Sequence, residues 1–245
     1  MLALRSLVFT SILFVSAILA AASILLVFWA PAHVPWAITV AWARLSLWAG
    51  KFFCGLTVVV EGKENIPQEP SVILIKHTTA LEAYWQITAF PEATWVIKRE
   101  LQWIPVFGWA LALVMRPIAV RRGSGRQAVR QVIAQGKKKL ANGIWVTIFP
   151  EGTRVPPGET CRYGISGAAL AREAGCQIVP VAHNAGDFWP RRGFHKHPGT
   201  VRFCIGKPIA AAGRPLKETN RIVQDWIESK MSEISERYQQ KEINR

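Results

Sequence analysis

Disulfide and zinc chemistry have little to work with in this chain. Its four cysteines, Cys54, Cys161, Cys176 and Cys204, form no C-x-x-C pair, so their spacing suggests neither a zinc site nor a disulfide framework. Scattered free thiols fit a reducing compartment, and so a cytosolic face. Acidic residues are scarce. Sixteen Asp and Glu stand against thirty Lys and Arg, a formal net charge of +14 with a pI near 10.2. The sequence contains no internal repeat and no low-complexity tract, which argues against a repeat array. Charge of either sign is missing altogether from Ser6 to Ala43.

That uncharged stretch is strongly apolar. Leu7 to Ala30 is long enough to cross a bilayer as a helix. A signal peptide is the alternative, since Ala20-Ala21-Ala22 offers small residues. Against it, the apolar run continues to Trp29, and after Pro31-Ala32-His33-Val34-Pro35 a second apolar segment runs from Trp36 to about Trp48 before Lys51. Arg5 and Arg44 flank the pair, and the positive-inside tendency then places both ends in the cytoplasm. A spanning hairpin and a helix pair dipping into one leaflet both fit. The short, Trp-rich second segment favours the leaflet-bound pair. The expected organisation is a membrane-associated helix pair over residues 1–52 and a cytoplasmic domain over 53–245, held at the inner or plasma membrane. Half the residues are apolar and eleven are Trp, which together with the basic charge suits an anionic membrane surface. Nucleic-acid binding competes for the same charge, but it does not explain the N-terminal apolar segments.

Beyond residue 53 the pattern alternates. Strand-like runs are Thr57–Val60, Val72–Ile75, Thr94–Ile97, Ile118–Val120, Ile144–Phe149, Ile178–Val181 and Val201–Ile205. Helical candidates are Leu81–Phe90, Arg126–Leu140, Ser166–Glu173 and an amphipathic Lys217–Arg237 whose polar end is expected to fray. The alternation predicts an α/β fold, a mixed and largely parallel sheet flanked by helices. Leu101 to Val114, LQWIPVFGWALALV, is apolar almost all round. It is either an ordinary buried helix or a surface that meets membrane or acyl chain through Trp103, Phe107 and Trp109.

Three stretches carry candidate chemistry. In SVILIKHTTALE, Ser71 to Glu82, a strand leads into a turn and a helix, leaving His77 at the mouth of the turn. Glu82 follows five residues later. In one continuous helix that spacing, at about 100° per residue, would turn the two apart. With His77 on the turn and Glu82 in the first helical turn they can face each other, and a histidine held by a carboxylate is an oriented general base. The same residues also fit a capping box, Thr79 with Glu82. In FPEGTR, Phe149 to Arg154, an apolar strand ends at Pro150 and Gly152 permits close backbone approach. Glu151 and Arg154 then project from the strand end, where α/β sheets bind ligands. Arg154 either grips a phosphate or closes a surface turn by pairing with Glu151. In RPIAVRRGS, Arg116 to Ser124, a short strand emerges into Arg121 and Arg122, either a phosphate-gripping edge or a solvated basic loop. His195 and His197 lack further ligands at a convincing spacing and read as a surface pair. His183, after IVPVA, is a further candidate to approach the site.

In order and separation, these stretches resemble the glycerolipid acyltransferase superfamily, most closely the bacterial 1-acyl-sn-glycerol-3-phosphate acyltransferases. The blocks are KHTTALE (Lys76–Glu82), IAVRR (Ile118–Arg122), FPEGTR (Phe149–Arg154) and IVPVA (Ile178–Ala182), with KRELQWIPVFGWAL (Lys98–Leu111) between the first two. The resemblance covers roughly Phe53 to Pro208. It implies transfer of an acyl group from acyl-CoA or acyl carrier protein to the sn-2 hydroxyl of lysophosphatidic acid, with no cofactor, metal or nucleic acid. It assigns His77 and Glu82 to catalysis, and Arg122, Glu151, Gly152, Thr153 and Arg154 to substrate binding. Glu82 stands where the family usually has aspartate, and Arg121 where an acidic residue is common. Lys76 stands in place of asparagine, which is expected to put a cation beside the base. Oxyanion donors are expected among the backbone N–H groups at the start of the helix after Thr79.

Overall fold

The structure is a computed structural model that describes residues 1–121, 125–191 and 193–243. Helices α1 (Leu2–Leu26) and α2 (His33–Cys54) precede strand β1 (Leu56–Glu61). Then follow β2 (Val72–Ile75), α3 (Leu81–Ala89), β3 (Ala93–Lys98), α4 (Phe107–Val114), β4 (Ile118–Val120), α5 (Gly125–Ala141) and β5 (Trp145–Ile148). The chain continues through α6 (Ser166–Ala174), β6 (Gln177–His183), α7 (Ala185–Phe188), β7 (Gly199–Ile205), β8 (Ile209–Ala210), α8 (Leu216–Ile234) and α9 (Glu236–Ile243). Every β-branched run noted above forms a strand. The two-residue β8 carries too little pattern to be seen in advance.

The strands make one mixed sheet in the order β1-β7-β6-β2-β5-β3-β4, with β8 beside β6. β6, β2, β5, β3 and β4 run parallel as neighbours, and β7 meets β6 antiparallel. Alternation along β2 sorts its side chains between two cores. Ile73 and Ile75 face one containing Trp85 and Tyr84 of α3 and Phe9 of α1. Val72 and Leu74 face the other, with Ala168 and Leu170 of α6 and Val223 and Ile227 of α8. All four β2 residues are fully buried, each contributing about 1.5–3 kcal/mol of transfer free energy. On the first face Trp85 stacks on Phe203 of β7, centroids 3.7 Å apart. On the second, α6 lies so close to β2 that a Cβ on Gly167 would stand 2.5 Å from Leu74.

At the N-terminus one strongly apolar helix of the expected pair is evident. Among the described residues, α1 alone is long and apolar enough to cross a membrane. Helix α2 carries Arg44 and Lys51 and divides its surface. Ala43, Ser46, Ala49, Gly50 and Cys54 are buried, in a stripe small enough for close packing, while Leu45, Trp48 and Phe52 stand exposed. The segment Leu101 to Val114 is not an ordinary buried helix. In α4 only Gly108 and Ala110 are buried. Trp103 is 64% exposed and Trp109 55%. α4 packs with Ala21 and Ile24 of α1 and Ile38 of α2 in a small apolar cluster that contains no strand residue.

The C-terminal helix also departs from expectation. It breaks at Ser235 and resumes as α9, because Asp187 captures both the Ser235 hydroxyl (2.8 Å) and the Glu236 N–H (3.0 Å).

Candidate active site

The register of the central strands assembles the site. Ile75 pairs with Val181 of β6, and Leu74 with Ile148 of β5. Carried past the last pairs, this brings His77, His183 and Glu151 together at the carboxyl ends of three neighbouring strands, the edge where α/β sheets bind ligands. The connections leave this point on opposite faces, α3 on one and α6 on the other.

His77 Nδ1 lies 2.8 Å from Glu82 Oε1. The same oxygen accepts the Thr78 and Thr79 N–H groups at 3.0 and 2.9 Å, and Oε2 accepts the Thr79 hydroxyl at 2.7 Å. Thr79 Oγ1 in turn accepts the Leu81 N–H at 2.7 Å. The capping box and the paired base are therefore one arrangement: the cap holds the carboxylate that holds the imidazole. Burial would push the Glu82 carboxyl up. The hydrogen bond from His77, the electrostatic pull of His183 and His77 and the bond from Thr79 overcome it and hold the group at about 2. An ionised Glu82 accepts Nδ1–H, which leaves the His77 Nε2 lone pair free. The His77 side chain is 17% exposed, whereas Glu82 is fully enclosed.

FPEGTR closes over this base. The Phe149 ring stacks on the imidazole at 3.9 Å between centroids, and the Val155 N–H donates to the His77 carbonyl at 2.8 Å. Gly152, at φ 66°, ends a turn whose N–H returns to the Phe149 carbonyl at 3.0 Å, a backbone that favours glycine. The Glu151 carboxylate turns inward and meets Lys76, not Arg154. Burial pushes Glu151 up to about 7 despite the Lys76 charge. Among the described residues no carboxylate pairs with Arg154, whose carbonyl accepts a bond from Arg191 at 2.8 Å. Arg154 thus stands half-buried, one residue before the Val155 N–H that bonds the His77 carbonyl. Thr153 lies beside it, also half-buried. Arg122 lies outside the described residues.

Two expectations change. Lys76 does not sit beside the base. It follows Leu74 on the α8 side of the sheet, while His77 follows Ile75 on the α3 side, as a period of two requires. Its ammonium reaches Glu228 of α8 at 2.7 Å. Of the oxyanion donors expected at the start of α3, the Leu81 N–H is already given to Thr79 Oγ1, and the Thr78 and Thr79 N–H groups just before it are given to Glu82.

His183 does approach the site. Its Nε2 donates to the Lys76 carbonyl at 2.7 Å and stands 3.8 Å from Glu82 Oε2, and its Nδ1 accepts the Ala185 N–H at 3.3 Å. With Nε2–H donating and Nδ1 accepting, the ring sits behind the carboxylate as a neutral imidazole, and burial lowers its proton affinity. His195 and His197 are exposed. Glu228, Tyr163 and Tyr238 join the site from afar with no local motif to announce them. Phe149 was within a recognised block, but its stacking role needed the register.

A family model described as Acyltransferase matches residues 57–184. The chain is 42% identical over 197 residues to the 1-acyl-sn-glycerol-3-phosphate acyltransferase of Pseudomonas aeruginosa, covering 79% of this chain and 76% of that one. It is 32% identical over 149 residues to the protein of the same name from Borreliella burgdorferi, covering 60% of this chain and 57% of that one. The crystal structure of the 1-acyl-sn-glycerophosphate acyltransferase from Thermotoga maritima matches with a TM-score of 0.78 at 21% identity, covering 94% of each chain. That likeness speaks to the fold.

Proposed function

The chain belongs to the acyltransferase family, and from that premise we propose that it moves a fatty acyl group from a thioester to the sn-2 hydroxyl of 1-acyl-glycerol 3-phosphate, giving phosphatidic acid. The observation that carries this reading is the 2.8 Å contact between a partly exposed His77 and a fully buried Glu82.

In the reaction, His77 Nε2 takes the proton of the acceptor hydroxyl as its oxygen attacks the thioester carbonyl. Glu82 holds the tautomer and stabilises the imidazolium that forms. Collapse of the tetrahedral intermediate breaks the carbon–sulfur bond, and the imidazolium proton follows to the departing thiolate of coenzyme A or acyl carrier protein. The substrate hydroxyl takes the place that serine holds in a hydrolytic triad, so no acyl-enzyme forms. A positioned base of this kind supplies a factor of about 10² to 10⁴, and the rest comes from holding two substrates together. Arg154, with Arg122, binds the lysolipid phosphate through forked hydrogen bonds. Gly152 and Thr153 shape the turn that carries Arg154, and Glu151 fixes that turn from within. No step of this transfer draws on a metal or cofactor.

The protein works at a membrane surface, α1 buried among lipid and the exposed Trp103 and Trp109 at the interface, where indole rings favour headgroup level. The basic surface draws the protein to anionic lipid. The test is an acceptor panel in mixed micelles: 1-acyl-glycerol 3-phosphate, glycerol 3-phosphate and a lysolipid with a different headgroup, each with acyl-CoA and acyl carrier protein donors. The phosphate monoester of the lysolipid is expected to be acylated fastest. Preference for either other acceptor would move the protein to a different substrate within the family, and no transfer to any would end the enzymatic reading.

A further inference from the structure

Lys76 is among the largest fully buried side chains of the protein, and the acyl-transfer step does not use it. Its ammonium lies 2.7 Å from Glu228 Oε1 on α8 and 3.3 Å from Glu151 Oε1 in the turn after β5. It also donates to the Glu159 carbonyl at 3.3 Å. The Tyr238 and Tyr163 rings flank it at 5.5 and 6.0 Å. The Tyr163 hydroxyl donates to Glu228 Oε1 at 2.7 Å, and the Tyr238 hydroxyl stands 3.1 Å from Oε2 and 2.6 Å from the Glu159 carbonyl oxygen. One buried cation thus gathers the end of β2, the turn after β5 and both C-terminal helices.

Glu151 is where this cluster reaches the base. The oxygen that meets Lys76 lies 3.5 Å from the His77 backbone nitrogen. The same stretch carries Phe149, stacked on the imidazole, and Val155, bonded to the His77 carbonyl. Three contacts on His77 therefore come from the segment that Lys76 grips. Docking α8 does not require the charges, because Val223, Ile227, Met231 and Ile234 already bury an apolar stripe.

We propose that Lys76 and Glu228 are positioning residues: together they tie α8 to the 149–155 segment, hold that segment against His77 and so set where its Nε2 points. This rests on the reading of His77 as the base. The cluster acts only through Glu151 and the segment it anchors, and it touches no reacting atom.

The test uses Lys76→Met, Glu228→Leu and the two combined in the full chain. Each single change unbalances the buried cluster of Lys76, Glu151 and Glu228 and lowers Tm, whereas the pair removes one charge of each sign and leaves Glu151 to take up a proton, an exchange that buried pairs often tolerate. The double variant is expected to recover Tm yet keep kcat depressed about 10-fold or more, the scale of a misdirected base, with KM for 1-acyl-glycerol 3-phosphate within about twofold. In protein carrying 13C-labelled histidine, the His77 signal is expected to move while those of His33, His195 and His197 stay. A double variant with wild-type kcat and an unmoved His77 signal overturns the proposal. Should the double variant fail to recover Tm, the shape-preserving Glu228→Gln carries the same two readouts with the same expected directions. If wild-type protein acylates no lysolipid, the proposed function fails, and the His77 signal alone then decides the positioning: moved upholds it, unmoved refutes it.

Discussion

Glu82→Gln removes one charge and keeps the shape of the most enclosed carboxylate in the site. In the wild type, Oε1 receives His77 Nδ1–H, Thr78 N–H and Thr79 N–H, and Oε2 receives the Thr79 hydroxyl and a longer bond from Thr79 N–H. Every partner donates, so the site is built for an anion. Burial opposes ionisation, yet the His77 bond, the electrostatic pull of His183 and His77 and the Thr79 bond hold the group at about 2 against its usual 4.5, a balance of roughly 3 kcal/mol toward the charged form. Glutamine can keep an oxygen at the Oε1 position, and with it the helix start and the imidazole tautomer. Its NH2 then faces the Thr79 hydroxyl, which turns to accept. What disappears is the negative charge beside the imidazolium. A hydrogen bond to a charged group contributes about 1.5–3 kcal/mol, so kcat is expected to fall by about 10- to 150-fold with KM little changed. The assay is thiol release at saturating acceptor, with Tm recorded on the same samples. Because the folded-state proton affinity of Glu82 is depressed, its contribution to stability is complete above about 4.5 and lost only as pH falls toward about 2. Any Tm deficit of the variant should therefore be constant between about pH 6 and 8. A kcat within twofold of wild type, in a folded variant, would refute the pairing and leave His77 a lone base.

Arg154→Ala is expected to raise KM for the phosphate-bearing acceptor by about 10- to 100-fold, the worth of a charge-assisted bond, while KM for the donor holds. Arg154→Lys should restore part of it, and an equal loss toward an acceptor without phosphate would contradict the assignment. Glu151 binds its proton more tightly folded than unfolded, since burial raises it to about 7. The folded state then holds more protons between about 4.5 and 7, and stability falls as pH rises through that window. Glu151→Gln should flatten this part of a Tm-against-pH curve, and an unchanged slope would remove Glu151 as its source. Trp103→Ser combined with Trp109→Ser is expected to lower co-sedimentation with anionic vesicles severalfold at unchanged Tm. Undiminished binding would leave α1 as the whole anchor.

The parts of this account legible in the sequence are local. The β2 run Val72–Ile75 is β-branched and apolar because it is buried on both faces, and such a run marks its own limits. His77 and Glu82 lie within one strand–turn–helix unit, so their encounter follows from spacing. Alternation already implies that Lys76 and His77 leave the strand on opposite faces, yet the neighbour in sequence suggested a cation beside the base. The partner that drew Lys76 away, Glu228, sits 152 residues on, where an amphipathic helix offers one glutamate among several. Glu151 and Arg154 are a plausible turn pair by spacing alone. They separate because the sheet register carries Glu151 over a buried lysine that no local pattern announces. Asp187 stops α8 at Ser235 from a different part of the chain, so the pattern of Lys217–Arg237 reads as unbroken. The division of α2 into a small-residue stripe and an exposed aromatic one is visible only once α1 and α3 are in place.

The central claim is that His77 is the base for acyl transfer to a lysolipid hydroxyl. Its most direct test is the turnover of 1-acyl-glycerol 3-phosphate by His77→Ala, in micelles, with folding verified by Tm. The account predicts a loss of about 10² to 10⁴ in kcat with lysolipid binding retained through Arg154. Turnover near that of the wild type would contradict it.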